Sequence, residues 1–227
     1  MKQPSSRQII LERMERAYAS RTITNDPKDG QAECLEEDLS QNKFFQDDIL
    51  SLSEKDKMAY FCHMLESLKG ECILCEDEQD MYEKMSNLMQ KKSLSGLFTR
   101  DASIAEKLHQ HKIPVDTDEE SLKDLVAAVT RCEYLIVRTG SVLVSSASKA
   151  GRQLHVYPSI HIVIAHKNQL VDELHAALEG VRQKYKKSSF PSVVSVITGP
   201  SRTADIEKTL VLGAHGPKEL IIFVQQK

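Results

Sequence analysis

Val193-Val194-Ser195-Val196-Ile197-Thr198-Gly199-Pro200-Ser201-Arg202-Thr203-Ala204-Asp205-Ile206-Glu207, followed by Gly213-Ala214-His215-Gly216-Pro217, is the stretch from which the fold is read. The β-branched run Val193, Val194, Val196, Ile197 predicts a buried strand, and Gly-Pro ends it. Ser201 and Thr203 can cap a helix, and Asp205 and Glu207 suit the positive first turn of one. The stretch therefore reads as a strand–loop–helix junction. In a parallel α/β sheet such junctions lie at the carboxyl ends of the strands, where free helix N–H groups and a neighbouring Arg202 favour an anionic ligand.

Working back towards the start, the same alternation recurs. Met58, Phe61, Cys62, Leu65 and Leu68 share a helical face, Glu71–Cys75 reads as a strand, and Met81, Tyr82, Met85, Leu88 and Met89 form a second helical face. Leu94–Phe98 is a further strand and 103–109 a short helix before Ile113-Pro114-Val115. Leu122, Leu125, Val126 and Val129 fall at helical spacing behind Ser121 and Asp124. Tyr134–Ser146 is a strand that bends or ends at Gly140, within Thr139-Gly140-Ser141, and resumes as Val142-Leu143-Val144; His161–Ala165 is another, and Leu170, Val171, Leu174, Leu178 and Val181 face the core from one long helix. Glu219–Val224 is the last strand. Buried strands alternating with helices specify an α/β protein, three-layer α/β/α around a mainly parallel sheet. A short amphipathic helix over Gln8–Ala19 and an acidic, aperiodic stretch over 21–53 add an N-terminal helical extension, giving expected segments 1–54 and 55–227.

Composition narrows the function classes. The 227 residues carry a net charge of −3, which argues against a phosphate-backbone binder, so no nucleic acid is expected. The apolar runs are short of the ~20 residues that span a bilayer, and Met1-Lys2-Gln3-Pro4-Ser5-Ser6 lacks a signal-peptide core, so a cytoplasmic protein without membrane contact is expected. Cys34, Cys62, Cys72, Cys75 and Cys132 are an odd number of cysteines in a chain too large to need staples, and free thiols are expected. Cys72 and Cys75 have CxxC spacing, but on a strand positions i and i+3 point to opposite faces.

Four glycines lie where strands end: Gly140, Gly199, Gly213 and Gly216. Glycine lets backbone N–H groups approach a ligand, and adjacent loops of this kind form an anion-binding rim. Thr139, Gly140, Ser141, Gly199, Ser201, Arg202, Thr203, Gly213 and Gly216 are the candidate rim residues, with Arg202 able to clamp a carboxylate or phosphate. Turns alone would also use these glycines, and Arg202 could instead pair with Asp205 or Glu207. His215, in the glycine-rich loop beside Gly216, suits an acid or base near neutral pH, or simply caps the loop before the final strand by hydrogen bonding. The pattern is neither a Walker loop nor a dinucleotide G-x-G-x-x-G. His155, His161 and His166 come without an H-E-x-x-H or a paired carboxylate set, and His109 and His111 are a pair without a third ligand, so no metal site is expected.

The run T-G-P-S-R-T-A-D-I-E, then L-G-x-H-G-P, with T-G-S at Thr139–Ser141, resembles the LutC/YkgG family of lactate-utilisation proteins. The LUD domain of that family belongs with the NagB/RpiA/CoA-transferase-like folds. The resemblance implies a subunit of a system that oxidises L-lactate to pyruvate together with iron–sulfur partner proteins. This chain has no cluster-type cysteine run and no flavin or dinucleotide motif, so no cofactor of its own is expected. Its share would be a small carboxylate or phosphate site, with a homodimer an open alternative to a monomer. Arg138 stands where relatives often have an acid, and no glutamate sits at this strand end to act as a CoA-transfer nucleophile; Glu133 lies too early on its strand. Two alternatives stay open: a stand-alone enzyme on a small phosphorylated or carboxylated metabolite, and a non-catalytic assembly subunit.

Overall fold

The computed structural model describes residue 49 and residues 52–186, 189–206 and 209–227. The helix expected over Gln8–Ala19, the acidic stretch as far as residue 48, and Glu207 lie outside the described residues. Ser53 begins the ordered pattern: its hydroxyl accepts from the Asp56 N–H and starts α1 (Glu54–Ser67), which buries Met58, Phe61 and Leu65. After β1 (Glu71–Cys75), Asp77 caps α2 (Glu78–Lys91), whose buried stripe is Met81, Tyr82, Met85, Leu88 and Met89. β2 (Leu97–Phe98) leads through Asp101, the cap of α3 (Ala102–Gln110), to β3 (Val115–Asp116). There follow β4 (Ala127–Arg131), β5 (Tyr134–Ile136), β6 (Ser141–Ser145), β7 (Ile160–His166), β8 (Leu170–Val171) and α4 (Leu174–Lys184). The chain ends with β9 (Val194–Ile197), β10 (Arg202–Ile206), β11 (Thr209–Leu212) and β12 (Glu219–Gln225).

A six-stranded sheet of order β1-β12-β7-β4-β2-β3 is parallel throughout. Its strands are apolar on both faces because both are covered. Along β7, Ile162 and Ile164 face α2 and α3, while Val163 and Ala165 face α1 and a second sheet. That second sheet, of order β8-β5-β6-β9, shares its layer with α1, and α4 closes its outer side through Ala177 and Val181 against Ile136 and Leu143. The α/β architecture with a mainly parallel sheet is the expected one. One flanking layer is built differently, from a helix and a mixed sheet side by side.

Four expectations are corrected. The signature helix is instead a hairpin: Arg202 pairs with Leu212, Thr203 with Val211 and Ile206 with Thr209, antiparallel. Thr203, Ile206 and Thr209-Leu210-Val211-Leu212 are rich in β-branched and aliphatic residues, and that preference prevails over a capping pattern that suits turns equally well. The preceding strand, β9, is not buried in the parallel sheet; it is antiparallel to β6 at a sheet edge, with Val196 42% exposed. The helix expected through Leu122–Val129 is a 3-10 turn (Glu119–Asp124) followed by β4, where adjacent small residues Ala127 and Ala128 suit a strand covered on both faces. Leu170 and Val171 belong to β8, ahead of a helix that starts only at Leu174.

The cysteines give a fifth correction. Cys62 of α1 and Cys72 of β1 are joined in a disulfide, with Cα atoms 5.3 Å apart. The alternation of side chains along β1 is as expected, since Cys75 packs on the opposite face of the sheet from Cys72. What spacing did not show is that α1 folds back along β1 and sets Cys62 over Cys72. Cys75 and Cys132 are free and buried.

Candidate functional site

The signature residues gather around the last turn of α1. Gly140 has φ +58° and Gly199 φ +84°, a backbone region that side chains disfavour. A Cβ on Gly140 would lie 2.5 Å from the Leu65 nitrogen, and one on Gly199 would lie 2.8 Å from the Leu68 carbonyl oxygen. Both glycines thus let a loop close onto helix backbone. Beside them, Ser141 Oγ and Thr198 Oγ1 share a hydrogen bond of 2.8 Å, which ties the start of β6 to the end of β9. Arg202 is exposed and donates from Nη2 to the carbonyl of Leu68, the residue that caps the carboxyl end of α1.

The second half of the signature meets the first. Ser201 N–H donates to Pro217 O (2.8 Å), and Gly213 N–H donates to Ser201 O (2.9 Å). A Cβ on Gly216 would lie 3.2 Å from that of Ser201. Thr203 is half-buried within the hairpin, whereas Thr139 and His215 are exposed. Glu219, two residues past Pro217, starts β12 beside Ile160 of β7, so this rim stands at the amino edge of the parallel sheet, not the carboxyl edge. With no helix at 202–206, the positive helix terminus expected there is replaced by the negative carboxyl end of α1, which Arg202 neutralises in part. That contact uses one of the five guanidinium N–H donors.

Other chemically capable groups are spoken for. Glu133 is buried and accepts from Lys184 Nζ (2.6 Å), Ser145 Oγ (2.6 Å) and Tyr185 OH (2.8 Å). Burial alone would raise its pKa; the three donors outweigh burial and hold the carboxyl below its usual range. Arg138 pairs with Glu173 at 2.6 Å. Burial pushes the thiol of Cys75 up to about 11 and that of Cys132 up to about 12, so neither is a ready nucleophile.

His155 and His161, separated by a proline turn in sequence, are brought together with ring centroids 5.3 Å apart. His161 Nε2 lies 2.9 Å from Thr130 Oγ1, while both ring nitrogens of His155 and Nδ1 of His161 have no hydrogen-bond partner among the described residues. Burial lowers His155 to about 4 and His161 to about 3, the neighbouring imidazole adding to the effect at His161. Among the described residues no group of three or more His, Cys, Asp or Glu is placed to hold a metal ion.

The model of one protein family, the LUD domain, matches residues 58–224, from α1 through β12. The chain belongs to the LUD domain family. The LUD domain described here is 35% identical over 106 residues to Lactate utilization protein C of Bacillus subtilis, a stretch covering 45% of this chain and 44% of that one. It is 39% identical over 103 residues to an uncharacterised protein of Neisseria meningitidis (45% and 43%), and 33% identical over 97 residues to YkgG of Escherichia coli (42% of each). The matched stretch is thus under half the length of these curated relatives. A solved structure of a DUF162 family protein from Deinococcus radiodurans superposes with a TM-score of 0.58, covering 76% of this chain and 98% of that one at 16% identity. That likeness shows the fold. No helix among the described residues of the LUD domain is long and apolar enough to cross a membrane.

Proposed function

We propose that this LUD domain serves as a LutC-like subunit of a lactate-utilisation system, in which L-lactate is oxidised to pyruvate together with iron–sulfur partner proteins. Its own contribution is to hold a small carboxylate or phosphate at the signature rim. The observation that carries this reading is convergence: Thr139–Ser141 and Thr198–Arg202, far apart in sequence, meet at the end of α1, and Gly213–Gly216 packs onto Ser201 beside them. Arg202 remains exposed there, with donors beyond the one given to Leu68. In this reading Arg202 and Ser201 orient the carboxylate, and His215 takes the proton of the lactate hydroxyl. The C2–H bond breaks as pyruvate forms, its proton leaving to solvent and its two electrons passing to the iron–sulfur centres of the partners.

A second reading is favoured by a specific observation. Gly140, Gly199 and Arg202 all contact the end of α1, so the signature also works as a latch that fastens the second sheet to that helix, as a non-catalytic assembly subunit would need. Reconstitution with the partner proteins separates the two. Lactate-dependent reduction of a dye that requires this chain, and falls about tenfold or more with Ser201→Ala plus His215→Ala while partner binding persists, supports the anion-site reading. Full activity of that variant would leave only the assembly role.

A further inference from the structure

At the opposite edge of the parallel sheet, where the carboxyl ends of β1 and β12 contribute Leu74 and Gln226, lies a cavity of about 1130 Å³. Its other walls are the first half of α1, the 3-10 turn Lys167–Gln169, β8 and the start of α4. None of the signature-rim residues lines it. The carboxyl edge is where open α/β sheets hold ligands, because strand ends and helix starts converge there on loops free to carry specificity. The volume is somewhat above the range found for ligand pockets, about 300–1,000 Å³, and far exceeds what a three-carbon acid would fill.

The chemistry of the walls is two-sided. Met58, Leu74, Leu170 and Val171 give an apolar floor, and Leu74 is 37% exposed. Of the three acids at the wall, Asp172 is paired with Lys57 at 2.7 Å and Glu173 with Arg138 at 2.6 Å. Lys55 and Lys167 then stand against Glu54 alone. The amino end of α4 adds to the positive side: Glu173 occupies its N-cap position without a side-chain cap, and His175 follows in the first turn at the cavity wall.

We propose that this cavity is a second ligand site, taking an organic anion with an apolar body: a carboxylate, phosphate or sulfonate head held by Lys55, Lys167 and the start of α4, with the body on the Met58–Leu74–Leu170 floor. The site is independent of the signature rim and of any role in lactate oxidation. It adds to a small-anion rim a place for a larger, amphipathic metabolite or effector.

The test is a fluorescence titration of the full chain with 1-anilinonaphthalene-8-sulfonate, with octanoate and inorganic phosphate as competitors. The dye binds saturably, octanoate displaces it, and phosphate at the same concentration does not. Ala176→Trp, which takes up part of the cavity, and Lys167→Glu, a surface change that leaves folding intact by circular dichroism, each weaken binding about fivefold or more. Arg202→Ala leaves it unchanged. Dye binding that survives Lys167→Glu unaltered, or that phosphate displaces as well as octanoate does, overturns the proposal.

Discussion

Gly140 carries two constraints at once, a left-handed φ and a helix backbone pressed against its Cα. Either alone is costly for another residue: the left-handed region costs roughly 1–2 kcal/mol, and overpacking about 1–3 kcal/mol more. Gly140→Ala is therefore expected to lower unfolding free energy by about 2–5 kcal/mol in urea denaturation, whereas a Gly→Ala change at an unconstrained turn raises it by about 0.4–1 kcal/mol. Unchanged or increased stability would mean that the loop does not close on α1 as described. The sequence singled out Gly140 and Gly199 for a ligand rim or for turns alone; contact with α1, some 70 to 130 positions away, leaves no local trace.

The buried histidines set a pH dependence at the same scale. Both have folded pKa values below the ordinary 6.5, at about 4 for His155 and about 3 for His161. The unfolded chain thus binds more protons than the folded one between 6.5 and those values, and stability is full above pH 6.5 and falls as the pH drops below it. The slope is about 1.4 kcal/mol per pH unit for each histidine within its window. Replacing His155 with Phe should flatten the decline measured by denaturation between pH 6.5 and 4.5. An unaltered decline would assign it to other groups.

Among the elements, α1, α2, β7 and β12 were readable: the five-residue stripe of α2 has helical period, and β12 is an apolar run too short for a helix and rich in β-branched and aromatic residues. The β10–β11 hairpin and β4 were not, because Ser-x-Thr-x-Asp and Leu-x-x-Leu-Val suit a helix start locally while the winning hydrogen bonds come from partner strands. The consequence for Arg202 is specific. As a cation on the carboxyl end of α1 it adds about 0.3–1 kcal/mol, so Arg202→Ala should speed hydrogen exchange over Leu65–Gly70 and Arg202→Lys should restore most of the protection. Unchanged exchange in Arg202→Ala would remove α1 from the role of Arg202.

For the molecule as a whole, strand–helix alternation was enough to specify a parallel sheet covered on both faces, and the family resemblance was legible in twenty-odd residues near the end. The second sheet was not, because β5, β6, β8 and β9 are short and their pairings join residues as distant as Val142 and Ile197. That sheet turns the signature away from the carboxyl edge and seats it on α1, which is why the rim and the large cavity fall at opposite edges. Titrating L-lactate and pyruvate into the ¹⁵N-labelled full chain and following its backbone amide signals tests the rim most directly. Saturable shifts centred on 139–141, 198–203 and 213–216, lost in Arg202→Ala while the rest of the spectrum persists, are predicted; no shifts at millimolar acid, or shifts centred on 55–59 and 167–176 instead, would contradict it.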